Sequence, residues 1–211
     1  IQFVSDRTVR IKMISGPQFN QPKESLMLVE GTAPNHPELW NYTAIDGGHQ
    51  FSSDHGKVEI ISNPWHVNIY DENGKLLTST LHYSDVQNTY TPVLPFSYVR
   101  RNSDYSRSFS PVFSLQPGEK IFGCGESFTQ FNKRGQKVVL YTDDANGVQN
   151  ETMYKPIPFF MSNRGYGVFM HTSSPITVDF GKYFNAANKM MLGDDVADLF
   201  FFLGDLKDIL D

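Results

Sequence analysis

The sequence predicts an all-β fold, an antiparallel β-sandwich, on three observations. Its dominant hydrophobic period is two, as in strands with one face on a core and the other in water. Turn signals recur roughly every 8–12 residues, the spacing of short sandwich strands. The 12 prolines and 16 glycines leave no room for a long helix before the C-terminus. Hydrophobic residues make up 39 % of the chain and aromatic ones 14 %, enough for a packed core and too much for a disordered segment.

The elements follow in order. Val9, Ile11 and Met13 alternate with Arg10 and Lys12, giving a first strand. The apolar run 26–29 reads as a strand buried on both sides. Residues 31–56, rich in Gly, Pro, His and Asn, carry the least pattern and read as a long loop or irregular insert. Val58 and Ile60 alternate with Lys57 and Glu59, and Trp65, Val67 and Ile69 with His66 and Asn68. Asp71-Glu72-Asn73-Gly74 then separates strands at 65–70 and 75–81, its Asn-Gly pair a hairpin signal. The runs 138–141 and 199–203 read as strands buried on both faces, and Asn163-Arg164-Gly165 separates strands at 158–161 and 166–171. At the end, Asp205 is placed to cap a helix, with Asp208 three residues on as in a capping box. Seven residues are too few for a stable isolated helix, so continuation beyond Asp211 is expected. No repeat and no shift in composition marks a second domain, so 1–204 reads as one sandwich and 205–211 as the start of a helix.

Charge and composition exclude several functions. With 18 basic and 23 acidic residues the net charge is −5, against a nucleic-acid partner. One cysteine rules out an internal disulfide framework and a cysteine-based zinc cluster. The longest apolar run, 199–203, falls far short of the roughly 18 residues of a membrane-spanning helix. The six histidines show no metal-ligand spacing, so neither metal nor cofactor is expected. No serine sits in a G-x-S-x-G elbow, so a Ser/His/Asp triad has no support. The cluster Phe122-Gly123-Cys124-Gly125-Glu126 lacks the third glycine, lysine and helix of a phosphate loop; a tight turn beside a packed strand accounts for it better, with Cys124 a small buried hydrophobe.

Carboxylates matter because glycosidases work with two of them roughly 5–10 Å apart. Asp143 and Asp144 follow a strand and point to opposite faces, which suits them poorly as an acid and nucleophile pair. They open a polar, turn-rich segment, Asp143-Asp144-Ala145-Asn146-Gly147-Val148-Gln149-Asn150, between strong strands. Such a segment either carries ligand contacts or is a solvated loop with local turn hydrogen bonds.

Two stretches point to a family. Phe122-Gly123-Cys124-Gly125-Glu126-Ser127-Phe128-Thr129 and the hairpin Tyr154-Lys155-Pro156-Ile157-Pro158-Phe159-Phe160-Met161-Ser162-Asn163-Arg164-Gly165-Tyr166-Gly167-Val168-Phe169 resemble the N-terminal β-sandwich of glycoside hydrolase family 31, closest to its bacterial α-xylosidases. The resemblance covers 97–211 and, more loosely, 1–96. It implies a galactose mutarotase-like sandwich that is not itself catalytic. Both catalytic aspartates of a retaining mechanism then lie on a (β/α)8 barrel beyond Asp211, the partner of this domain within the same chain. The loop 142–150 is expected to reach over the barrel mouth and contact a carbohydrate substrate through Asp144, Asp143 and Asn146. The family's Trp-Asn-x-Asp-Gly-Gly loop start is here Tyr141-Thr142-Asp143-Asp144-Ala145-Asn146, which leaves Asp143 and Asp144 both open as the sugar-facing residue. The functions implied are the non-catalytic domain of an α-xylosidase or, as alternatives, of an α-glucosidase of the same family or a free-standing carbohydrate-binding module. A mutarotase-like epimerase needs a histidine and a carboxylate converging on one sugar, for which no motif is present. The compartment stays open, cytoplasmic or periplasmic for a bacterial protein.

Overall fold

A computed structural model describes residues 1–15, 25–29, 33–82, 93–104, 106–143 and 151–210. Three antiparallel sheets account for its strands. The first has six strands: β1 (Gln2–Phe3), β2 (Thr8–Ile14), β10 (Ile121–Glu126), β12 (Lys155–Ser162), β13 (Tyr166–Met170) and β16 (Val196–Leu203), in the order β1-β2-β16-β13-β12-β10. The second has five: β8 (Phe96–Arg100), β9 (Arg107–Ser114), β11 (Lys137–Leu140), β14 (Ile176–Phe180) and β15 (Ala187–Leu192), in the order β11-β14-β15-β9-β8. These two sheets face each other. Phe201 of β16 meets Phe113 of β9 at 4.9 Å between ring centroids, and Phe160 of β12 meets Phe180 of β14 edge-on at 5.0 Å. The sandwich predicted from period and turn spacing is therefore present.

The third sheet is a meander of β3 (Asn41–Ile45), β4 (Gly48–Ser53), β5 (Gly56–Ser62), β6 (Trp65–Asp71) and β7 (Leu76–Ser79); the sequence predicts its last three strands and the β6–β7 hairpin but not its first two. It joins the sandwich core through Val58, Val67, Ile69 and Leu77, all fully buried. Thr78 Oγ1 donates to the Ser114 carbonyl at 3.0 Å, and the Arg164 guanidinium donates to the Leu76 carbonyl at 2.5 Å. The irregular insert expected over 31–56 is thus corrected: it contains the β3–β4 hairpin, which turns at Asp46-Gly47 with Gly47 at φ +70°. An Asp-Gly turn signal was there, but β3 is exposed on both faces, so its strand left no apolar alternation to read.

Two further expectations change. The apolar run 26–29 is a turn rather than a buried strand, with Leu26 and Val29 fully exposed or nearly so. Ser25 starts it by accepting the Met27 N–H on its hydroxyl, a local bond that competes with any ladder. The 138–141 run forms edge strand β11, paired to β14 alone, so Val138 and Leu140 are buried while Val139 faces out. By contrast, β16 is flanked by β2 and β13, and Leu199 to Phe201 are buried consecutively, as predicted. Helix α1 (Leu206–Leu210) follows with the expected cap: Asp205 Oδ1 accepts from the N–H groups of Lys207 and Asp208 at 2.8 and 2.9 Å. Asp208 returns a carboxylate oxygen to the Asp205 N–H at 3.0 Å.

Candidate functional site

The turn that follows β10, strand β11 and the residues flanking 144–150 build a cleft. In β10 the glycine cluster acts as a tight strand turn: Gly123, Cys124 and Gly125 all take positive φ, and the register against β12 shifts between the two glycines. A Cβ on Gly123 would lie 2.7 Å from the Phe159 carbonyl oxygen, so only glycine lets these backbones approach. Cys124 is fully buried, and burial pushes its thiol up to about 12, which makes it an inert packing residue.

After β10 the chain turns through Ser127 and Thr129 onto β11. Beneath that turn lies Lys133, only 4 % exposed. Its Nζ donates to Thr129 Oγ1 at 2.8 Å and to Ser127 Oγ at 3.4 Å, and the two hydroxyls are 2.9 Å apart. Burial lowers the Lys133 pKa from its usual value, with the nearby Cys124 pulling the other way. Because the ammonium can only donate, it fills lone pairs on both hydroxyls, leaving one hydroxyl hydrogen for the other hydroxyl and one for a ligand.

At the far side, Thr142 bridges to Met153, and the Asp143 N–H donates to the Met153 carbonyl at 3.0 Å. This contact brings together the described residues that flank 144–150. Asp143 and Glu151, one at each end, line a cleft of about 330 Å³ together with Ser127, Thr129, Tyr141 and Lys182. Tyr141 is 58 % exposed and offers a ring face beside the carboxylates. Carboxylate acceptors, polarised hydroxyls, ammonium donors and an aromatic face are the groups that hold a polyhydroxylated ligand. Of the sequence-predicted contacts, Asp143 lies at this cleft; Asp144 and Asn146 lie outside the described residues. Sequence reasoning missed Lys133 and Glu151. A lone lysine near a turn gave no signal that it would hold two hydroxyls of the cleft, and a glutamate in a glycosylation-type tripeptide none that it would line it.

One arrangement that the sequence gave no reason to expect is assembled elsewhere. Ser25 Oγ lies 2.6 Å from His171 Nε2, and His171 Nδ1 lies 2.8 Å from Asp198 Oδ2. The three residues are separated by 146 and 27 positions along the chain, so no local motif could reveal them.

Residues 1–179 match the family model described as the glycosyl hydrolase 31 N-terminal galactose mutarotase-like domain. An isomaltosyltransferase of Sporosarcina globispora is 25 % identical over 177 residues, 83 % of this chain and 14 % of the relative. The α-xylosidase XylQ of Lactiplantibacillus pentosus is 46 % identical over 68 residues, 32 % of this chain and 9 % of the relative. Among solved structures, a glycoside hydrolase family 31 dextranase of Flavobacterium johnsoniae aligns with 99 % of this chain and 24 % of its own, at a TM-score of 0.78 and 23 % identity, a likeness of fold. The chain spans a small part of each of these proteins.

Proposed function

The chain belongs to the N-terminal galactose mutarotase-like domain family of glycoside hydrolase family 31, and from that premise we propose that it is the non-catalytic domain of a retaining α-glycosidase, supplying one wall of the sugar site. The observation that carries this reading is the cleft flanked by both ends of the 144–150 segment, with Asp143 and Glu151 facing it. In this reading the catalytic barrel follows 205–211 and closes over the cleft. Phe128 and Phe131, 69 % and 81 % exposed, and the exposed Ile157 suit a surface that a second domain covers. Asp144 or Asp143 accepts a hydrogen bond from a sugar hydroxyl, Asn146 adds a further polar contact, and Tyr141 stacks on the ring. The contribution is position rather than proton transfer.

The high local identity to an α-xylosidase supports xylose as the sugar released. A second reading, an enzyme acting on α-glucosidic bonds, is favoured by the isomaltosyltransferase, whose similarity extends over far more of the chain. Kinetics of the full-length protein on aryl α-xyloside and α-glucoside separate the two. The 211-residue chain alone is expected to turn over neither. Sustained hydrolysis by it, abolished by replacing a carboxylate within it, would place the chemistry in this domain instead.

A further inference from the structure

On β16 the inward residues are Leu199 and Phe201, so Asp198 and Phe200 project from the opposite face of the six-stranded sheet; Arg10, paired with Phe200, shares that face. Arg10 grips Asp198 with both arms of its guanidinium, Nε to Oδ1 at 2.7 Å and Nη2 to Oδ2 at 2.5 Å, and lies over the Phe200 ring. Asp198 also meets His171 Nδ1, and the imidazole is bordered by the rings of Phe169 and Phe200. Burial by itself raises the Asp198 carboxyl, but hydrogen bonds and charge from Arg10 and His171 outweigh it and hold the group below the ordinary carboxylate range.

An ionised carboxylate only accepts hydrogen bonds, so in neutral His171 the proton sits on Nδ1. Nε2 then presents its lone pair, and the Ser25 hydroxyl donates to it across 2.6 Å. The Met27 N–H donates to the same Ser25 oxygen at 3.2 Å. The hydroxyl is thereby placed between a base that can take its proton and an amide that can steady the charge left behind. Met27 and Thr172, neighbours of Ser25 and His171 in sequence, line a groove of about 380 Å³ whose walls include Pro156, Pro158, Pro175 and Ile176, an apolar slot for a short chain.

We propose that Ser25 is a nucleophile for acyl transfer, with His171 as its general base, acting on short-chain carboxylic esters. Ser25 Oγ bonds to the ester carbonyl carbon while its proton passes to His171 Nε2. The bond from that carbon to the alcohol oxygen breaks, and the alcohol leaves with the proton from Nε2. Water, deprotonated by the same nitrogen, then cleaves the acyl-serine to release the acid and restore the hydroxyl. Asp198 and Arg10 are positioning residues that fix the tautomer and ring of His171. Arg10 shares the carboxylate charge, so less of it is left to steady the reacting centre, and slow turnover is expected.

The test uses an alkyl fluorophosphonate on the full-length protein, followed by peptide mass spectrometry. Here Ser25 Oγ bonds to phosphorus, fluoride leaves, and the hydroxyl proton goes to His171. The expected result is an adduct on Ser25, absent in Ser25→Ala and formed at least about tenfold more slowly in His171→Gln, with hydrolysis of 4-nitrophenyl acetate falling about 100-fold in both. An unmodified Ser25 in the native protein overturns the proposal without reference to any variant. So does an adduct whose rate is the same in a folded His171→Gln protein.

Discussion

Glu119 and Asp143 sit on either side of strand β10 in the chain and are built into opposite surroundings. Glu119 is 1 % exposed: its Oε1 accepts from Ser162 and Tyr166 at 2.6 and 2.7 Å, and its Oε2 from the Gln116 N–H at 2.7 Å. Tyr166 is itself buried, and burial with the adjacent Glu119 carboxylate holds its phenol well above the usual value. Asp143 is exposed and lines a cleft, and its hydrogen bond to Met153 uses the backbone N–H rather than the carboxylate. One carboxylate is committed to joining β12, β13 and the turn before β10. The other is held at a site where a ligand can reach it. A buried carboxylate is tolerated only when its acceptor capacity is filled from within, whereas one that recognises a sugar needs that capacity left open.

The largest expected effect breaks the first half of this contrast. Glu119→Ala orphans a buried hydroxyl, a buried phenol and a backbone N–H at once, and unfolding in denaturant should show a loss of about 3–5 kcal/mol. Glu119→Gln keeps one acceptor oxygen and should lose less. A loss below about 1 kcal/mol in Glu119→Ala would mean that the carboxylate is not what joins these strands.

Strand β10 between the two regions gives the next effect. Gly125 has φ +90°, and a Cβ there collides with the Lys155 carbonyl, whereas Gly74 has φ +76° in open space. Gly125→Ala should therefore cost about 2–4 kcal/mol from strain plus overpacking, and Gly74→Ala about 1 kcal/mol from strain alone. Equal losses in thermal or denaturant unfolding would show that the crowding against β12 relaxes freely.

The second half of the contrast is tested by kinetics. In the full-length protein, Asp144→Ala or Asp143→Ala should lower kcat/KM by about 1–3 kcal/mol through a lost charged hydrogen bond, without moving the unfolding midpoint. Unchanged kcat/KM in both variants would return the 142–150 loop to a solvated turn with no part in sugar binding.

Legibility in the sequence divides along the same physical line. The strands that meet the core were readable because burial on one face imposes alternation, as in β5 and β6, and burial on both faces imposes a continuous run, as in β16. β3 was not, since neither of its faces meets the core, and the run 26–29 misled because four apolar residues have no period to distinguish strand from turn. The glycine turn was legible because its residue type is dictated by backbone approach within the same short stretch. The cleft was only half legible: Asp143 lies in a visibly polar segment, but Ser127, Glu151 and Lys182 come together only in the fold, from stretches far apart in the chain. The Ser25, His171 and Asp198 relay was invisible for the same reason.

The smallest expected effect concerns Asp205, which shows that exposure alone does not make a carboxylate available. It is fully exposed, yet its Oδ1 already accepts from the N–H groups of Lys207 and Asp208, and these bonds lower its pKa from the ordinary value, that of Asp208 first and that of Lys207 next. A carboxyl whose folded pKa is depressed contributes stability that is complete above its unfolded value, near about 3.9, and that disappears as pH falls through the lower folded value. Amide protection at Lys207 and Asp208 should accordingly be constant from neutral pH down to that range and then fall. Asp205→Ala should remove the protection at every pH while leaving the global midpoint in place, because α1 has no buried residue and meets β13 through Ile209 over Gly167. Protection factors at these two amides, measured by hydrogen exchange in both proteins, decide it. If they stay the same through the acid range, or if Asp205→Ala leaves them unchanged, then packing of Ile209 holds this turn and the cap is incidental. Asp205 would then rank with the open carboxylates rather than the committed ones.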